Sequence, residues 1–164
     1  MTAPAGVLRH LRLDLSDAEE AALDDAIVAA GLDYAAWVAA YDPRLGLYDA
    51  ASESDALAAL ESLASRVLAR TPVRIVQIDL LVPFDAASFD ALRTLEPLLT
   101  ALPGALPSPR EWRFFGDDVT RPPHLWASLE SPGLHIAGLL DEPSWERWWD
   151  AFERATAHLP RRTL

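Results

Sequence analysis

Residues 124–140 read HLWASLESPGLHIAGLL, and this stretch decides the fold. Two apolar-rich runs, 125–129 and 134–140, flank Pro132-Gly133, a dipeptide suited to turning the chain. The pattern predicts an antiparallel hairpin. Just upstream, residues 111–115 read as a further strand, which makes a C-terminal β-meander. Just downstream, Ser144 is expected to open a helix that ends near His158. That helix carries Trp145, Trp148, Trp149 and Phe152 at i, i+3, i+4 and i+7, one aromatic stripe along a single face.

Toward the N-terminus, residues 73–82 are rich in Val and Ile, with apolar positions on both faces of a strand. Leu11, Leu13 and Leu15 alternate with Arg12 and Asp14, which predicts a half-buried strand. Ser16 and Glu19 form a capping box for a helix to about Ala30, with Gly31 ending it. Asp33 can cap a short helix bearing Tyr34, Trp37, Val38 and Tyr41, stopped by Pro43. Residues 44–49 are expected as a short edge strand. Ser52 or Ser54 starts a helix to about Arg70, with Leu57, Leu60, Ala64, Val67 and Leu68 on one stripe. A further helix is expected from Asp85 or Ser88, using Phe89, Leu92, Leu99 and Leu102, and kinked at Pro97 or split after Thr94.

The segment PGALPSP at 103–109 is a loop, and too little chain follows it for a second core of ordinary size. It is read as a crossover. Helices crowd the first half and the meander fills the second. The expectation is therefore a single α+β domain over residues 1–164, with an antiparallel or mixed sheet of about four to six strands and helices packed on it.

Composition removes several chemistries. The 164 residues include no Cys, no Lys and no Asn. Thiol nucleophiles, disulfides and Cys-held zinc or iron–sulfur clusters are excluded, as are Schiff bases and phosphate-loop lysines. With 14 basic and 25 acidic residues the formal net charge is −11, which argues against nucleic acid and against an anionic membrane surface. No segment approaches a membrane span, and the start has no signal-like apolar core, so a cytoplasmic setting is expected. The Gly-rich phosphate and dinucleotide motifs, the Gly-x-Ser-x-Gly elbow and His-Glu-x-x-His are all missing. No cofactor is expected.

His124 and His135 both lie on the predicted hairpin. Either plausible register puts them four or six residues apart along one face, roughly 13–20 Å, too far for one metal ion. Each is expected as a half-exposed strand residue. Three carboxylates at strand positions remain: Asp79 inside an apolar strand, Asp117 after the Trp112-bearing strand, and Asp141 after the last strand. Brought together they could hold a hard cation through oxygen, or act as general acid and base. The plainer alternative makes Asp79 an ion-pair or solvated edge residue and the others turn and cap residues.

Trp145, Trp148 and Trp149, with Trp126 and His124 on the hairpin, are the candidate binding or interface residues, against the simpler reading of the stripe as core. Both hairpin faces carry apolar residues, so one is expected under a helix and the other against a second subunit in a homodimer. The leading expectation is a non-enzymatic binding or protein-interaction domain. One version takes a basic protein partner, as an immunity protein does with a nuclease toxin. The rivals are a carboxylate-dependent, metal-assisted enzyme using Asp79, Asp117 and Asp141, and a tryptophan-lined pocket for a small apolar ligand. A cleft containing both an aromatic wall and a carboxylate would be the informative feature.

Overall fold

In the computed structural model, which describes residues 6–49, 54–84, 94–108, 111–130 and 132–161, five helices and eight strands form among the described residues. The class is α+β. The chain divides into two compact units, Leu8–Ile75 and the sequence on either side of it.

In the Leu8–Ile75 unit, the strand β1 (Val7–Arg12) leads into α1 (Asp17–Ala29). Ser16 Oγ accepts from Glu19 N at 3.3 Å, and Glu19 Oε2 accepts from Ser16 N at 2.9 Å, the reciprocal box that its spacing predicts. Gly31, at φ +71°, takes the left-handed conformation that ends the helix without a Cβ penalty. Asp33 caps α2 (Tyr34–Ala40) by accepting from Ala36 N at 3.1 Å. Of the residues spaced along one stripe of α2, only Trp37 is buried in the helix, while Tyr34 and Val38 are exposed. A helix of two turns offers the core one large side chain, and Trp37 fills that place.

Two short strands follow, β2 (Tyr41–Asp42) and β3 (Leu47–Asp49), in the order β2-β3-β1. The strand expected at the edge, β3, thus has β2 outside it, because the Pro43–Gly46 turn folds Tyr41 back opposite Tyr48. The helix α3 (Ser54–Leu68) buries Leu57, Leu60, Leu63 and Ala64 against Leu11, Leu13, Leu23 and Ile27. After α3, Arg70 donates to Leu13 O at 2.9 Å and pairs with Glu19, which ties the end of α3 to the start of α1.

In the other unit, β4 (Val73–Pro83) alternates from Val76 onward, with Val76, Ile78, Leu80 and Val82 buried and Gln77, Asp79 and Leu81 outward. Apolar residues do occur on both faces, as expected, but from Val76 onward only one face meets the core. The helix α4 (Leu95–Thr100) starts at Thr94, where Pro97 was expected to split a longer helix. The start expected at Asp85 or Ser88, with Phe89 and Leu92, lies outside the described residues. The described part of the PGALPSP segment, residues 103–108, lies within this unit and does not divide the two.

The strands β5 (Ala105–Leu106), β6 (Trp112–Phe114), β7 (His124–Glu130) and β8 (Gly133–Asp141) complete the order β4-β8-β7-β6-β5. β5, β6, β7 and β8 pair antiparallel in turn. The hairpin register sets His124 opposite Leu139 and Ser128 opposite His135. The total of eight strands exceeds the expected four to six because β2 and β5 have two residues each, too few for alternation to show in sequence.

The last helix, α5 (Glu142–Thr156), begins at Asp141 rather than Ser144. β8 runs into α5 without a loop, Asp141 Oδ1 accepts from Ser144 N at 2.9 Å, and Pro143 fits the first turn, where no backbone donor is needed. Trp145, Trp148 and Phe152 pack into a core with Phe114, Leu125, Leu134, Ile136 and Leu99. No helix among the described residues is long and apolar enough to cross a membrane.

Candidate functional site

Of the three carboxylates singled out by sequence, two take structural roles and the third is exposed. Asp79 projects from the outward face of β4 and bonds His135, Nε2 to Oδ1 at 2.7 Å. Asp117 is exposed in the loop after β6, and Asp141 caps α5. Among the described residues no group of three or more His, Asp or Glu side chains is arranged to hold a metal ion. In the same loop, Asp118 Oδ1 accepts from Thr120 N at 2.9 Å, and the hydrogen bonds from Thr120 hold its carboxyl below the ordinary range.

His124 is buried, with Nδ1 2.8 Å from Arg121 O, so the expectation of half-exposure fails for it. His135 is half-buried as expected and sits among charges. Its Nδ1 lies 3.3 Å from Glu130 Oε1, which also accepts from Ser128 Oγ at 3.0 Å, and the edge of Trp126 meets its ring at 5.0 Å. The hydrogen bond to Asp79 pushes the imidazole pKa up, with Glu130 adding to it and partial burial opposing. Both ring nitrogens are engaged by carboxylates, so the cluster holds a proton in place and leaves neither nitrogen open to a substrate.

Of the aromatic stripe, Trp148 is fully buried, Trp145 nearly so, and Trp149 is half-buried, stacking on Trp145 at 5.2 Å and Phe152 at 5.4 Å. These rings pack on one another and on the strands. Trp126, on the opposite face of β7 from Leu125 and Ala127, is half-buried.

An aromatic wall and a carboxylate do meet in the Leu8–Ile75 unit. A cavity of about 200 Å³ is lined by Ile27 and Leu32, Asp33 and Ala36, Trp37 and Tyr48, with Ala56 and Leu60 on α3. Its aromatic wall is Trp37 of α2 with Tyr48 of β3. Tyr41 and Tyr48 sit opposite one another across β2 and β3, and both stack on Trp37, at 5.0 and 4.8 Å. Trp37 is fixed in turn by its indole N–H, which donates to Asp24 Oδ1 at 3.2 Å, while Tyr34 donates to Asp24 Oδ2 at 3.3 Å.

No family model, curated protein or solved structure matches this chain. What the site can do must therefore come from its own chemistry.

Its electrostatics are one-sided. Residues 13–43 hold eight Asp or Glu and no Arg, and the flanking bases Arg12 and Arg44 pair with Asp14 and Asp42. The tyrosines report this field: the charge of Asp24 raises the Tyr34 pKa, and burial together with Glu20, Asp14 and Asp42 raises that of Tyr41. Asp33 is the one carboxylate in the lining, and no basic side chain accompanies it. Its Oδ1 serves the cap, and Oδ2 makes no hydrogen bond among the described residues. No nucleophile and general-base pair lines this cavity.

Sequence reasoning found Trp37 and Asp33 only as members of a short helix. The cavity needs four elements to converge, and no spacing in the chain marks that.

Proposed function

We propose that this protein is a non-enzymatic binding protein whose recognition site is the cavity beside Trp37. One observation carries the proposal: an aromatic wall and a carboxylate line the same pocket, while of the groups considered for catalysis Asp79 pairs with His135, Asp141 caps a helix and Asp117 is exposed in a loop. Small-molecule sites are concave, largely apolar and furnished with a few polar groups. The lining has that make-up, on a small scale. A fragment screen read by amide and indole NMR shifts tests the reading. Binding should move the resonances of Ile27, Leu32, Ala36 and the Trp37 indole; hits that move only residues elsewhere would sink it.

A second reading is favoured by the same run of acidic residues: a basic protein partner steered to residues 13–43 by charge. Capture that is insensitive to salt would argue against it. A second copy of the chain against Trp126, Ala137 and Leu139, on the half-buried hairpin face, belongs with these proposals, as does a cytoplasmic setting. Sedimentation at rising concentration tests self-association.

A further inference from the structure

We infer that the cavity beside Trp37 takes a small organic cation, an arylalkyl- or alkylammonium, rather than a neutral or anionic ligand. The inference rests on the binding reading given above and specifies its ligand.

Size comes first. A cavity of about 150 Å³ is enough to hold benzene. The volume of about 200 Å³ next to Trp37 therefore suits a single ring or short alkyl group with a brief polar tail, and excludes nucleotides and most cofactors. Ile27, Leu32 and Leu60 supply the apolar surface for that body.

Charge decides the tail. The only carboxylate in the lining is Asp33, no basic side chain lines it, and Trp37 has a second acidic neighbour in Asp24, bonded to its indole. Eight carboxylates lie between residues 13 and 43, three of them paired with Arg12, Arg44 and Arg70, and no Arg lines the cavity, so a carboxylate or phosphate ligand would meet a net negative field and no guanidinium to hold it. An ammonium group gains on three counts: the field of the segment, the Oδ2 atom of Asp33, and the electron-rich rings of Trp37 and Tyr48. The positive end of α2 opposes this, but the Asp33 side chain already caps it through Oδ1.

The substitutions that test the idea spare the fold. Asn is as good an N-cap as Asp, so Asp33→Asn keeps the cap and removes the charge. Ala56→Leu, on the α3 wall, fills the cavity. The full chain is titrated with phenethylammonium, 2-phenylethanol and 3-phenylpropionate, by NMR shift and calorimetry. We expect the ammonium to bind about tenfold more tightly than the alcohol, and the propionate to bind weakest. Asp33→Asn should abolish most of the difference between ammonium and alcohol, and Ala56→Leu should weaken all three. If the alcohol binds as tightly as the ammonium, the preference for cations is wrong and the binding reading stands. If no probe shifts the Trp37 resonances at millimolar concentration, both fall.

Discussion

The imidazole of His135 lies 2.7 Å from the carboxylate of Asp79, 56 residues earlier in the chain, and this bond joins the outward face of β8 to that of β4. Glu130 takes the other ring nitrogen. With both nitrogens protonated, each donates to a carboxylate; losing one proton turns a donor into a lone pair facing an acceptor.

The His135 pKa should therefore fall when Asp79 is replaced by Asn, as followed by the ring proton shifts in an NMR titration. The sign for stability follows from the raised folded-state pKa. The contribution is fully present below the unfolded value near 6.5 and is lost as pH rises through the higher folded value. Asp79 is largely exposed, so solvent screening limits the effect to about 0.2–1 kcal/mol. Wild type should lose this increment between weakly acidic and alkaline pH, and Asp79→Asn should lose less. An unchanged His135 titration in the variant would refute the pairing.

Glu19 responds in the opposite sense. Ser16 N and Arg70 hold its carboxyl down at about 2, from an ordinary 4.5. Its stabilising effect is present above 4.5 and disappears as pH falls toward 2. Arg70→Ala should raise the Glu19 pKa while leaving part of the depression, because the Ser16 backbone bond is the larger cause. A carboxyl-detected titration of wild type and variant measures both shifts. Full return to the ordinary value would show that the capping box depends on Arg70.

These two relationships differ in how far sequence could reveal them. Ser16 and Glu19 are three residues apart, and local hydrogen bonding fixes their geometry wherever the helix forms, so the box was legible. So was the spacing of His124 from His135, because the register of a hairpin is set by its turn. Asp79 and His135 meet only because β4 lies next to β8, and alternation within one strand contains no information about its neighbour. The same limit hid the Trp37 cavity, whose walls come from α1, α2, β3 and α3. Asp141 was visible as a strand-end carboxylate, yet its role as the α5 cap depended on the absence of a loop after β8.

Gly133 has a packing reason to be glycine. A Cβ there would stand 2.0 Å from Val82 O and 2.8 Å from Pro83 Cα, so backbone rather than a flexible side chain blocks it. Gly133→Ala should push the start of β8 away from β4 and destabilise the fold by at least about 1–3 kcal/mol. Urea unfolding checks this. A wild-type midpoint for the variant would mean that the two strands separate more easily than this contact implies.

Trp148 offers a sharper test of the core. The side chain is fully buried, stacked on Phe152 at 5.3 Å and edge-on to Phe114 at 5.2 Å, yet its Nε1 has no hydrogen-bond partner among the described residues. An indole N–H buried without a partner costs about 1–3 kcal/mol, so the ring stabilises by its area while its polar atom works against it. Trp148→Ala should cost about 3–5 kcal/mol by emptying the site. Trp148→Phe leaves a smaller void and removes the unsatisfied donor, so it should cost clearly less than Trp148→Ala. Denaturant midpoints at constant slope distinguish the two substitutions. If Phe proves as damaging as Ala, the indole N–H is making an interaction that the protein needs.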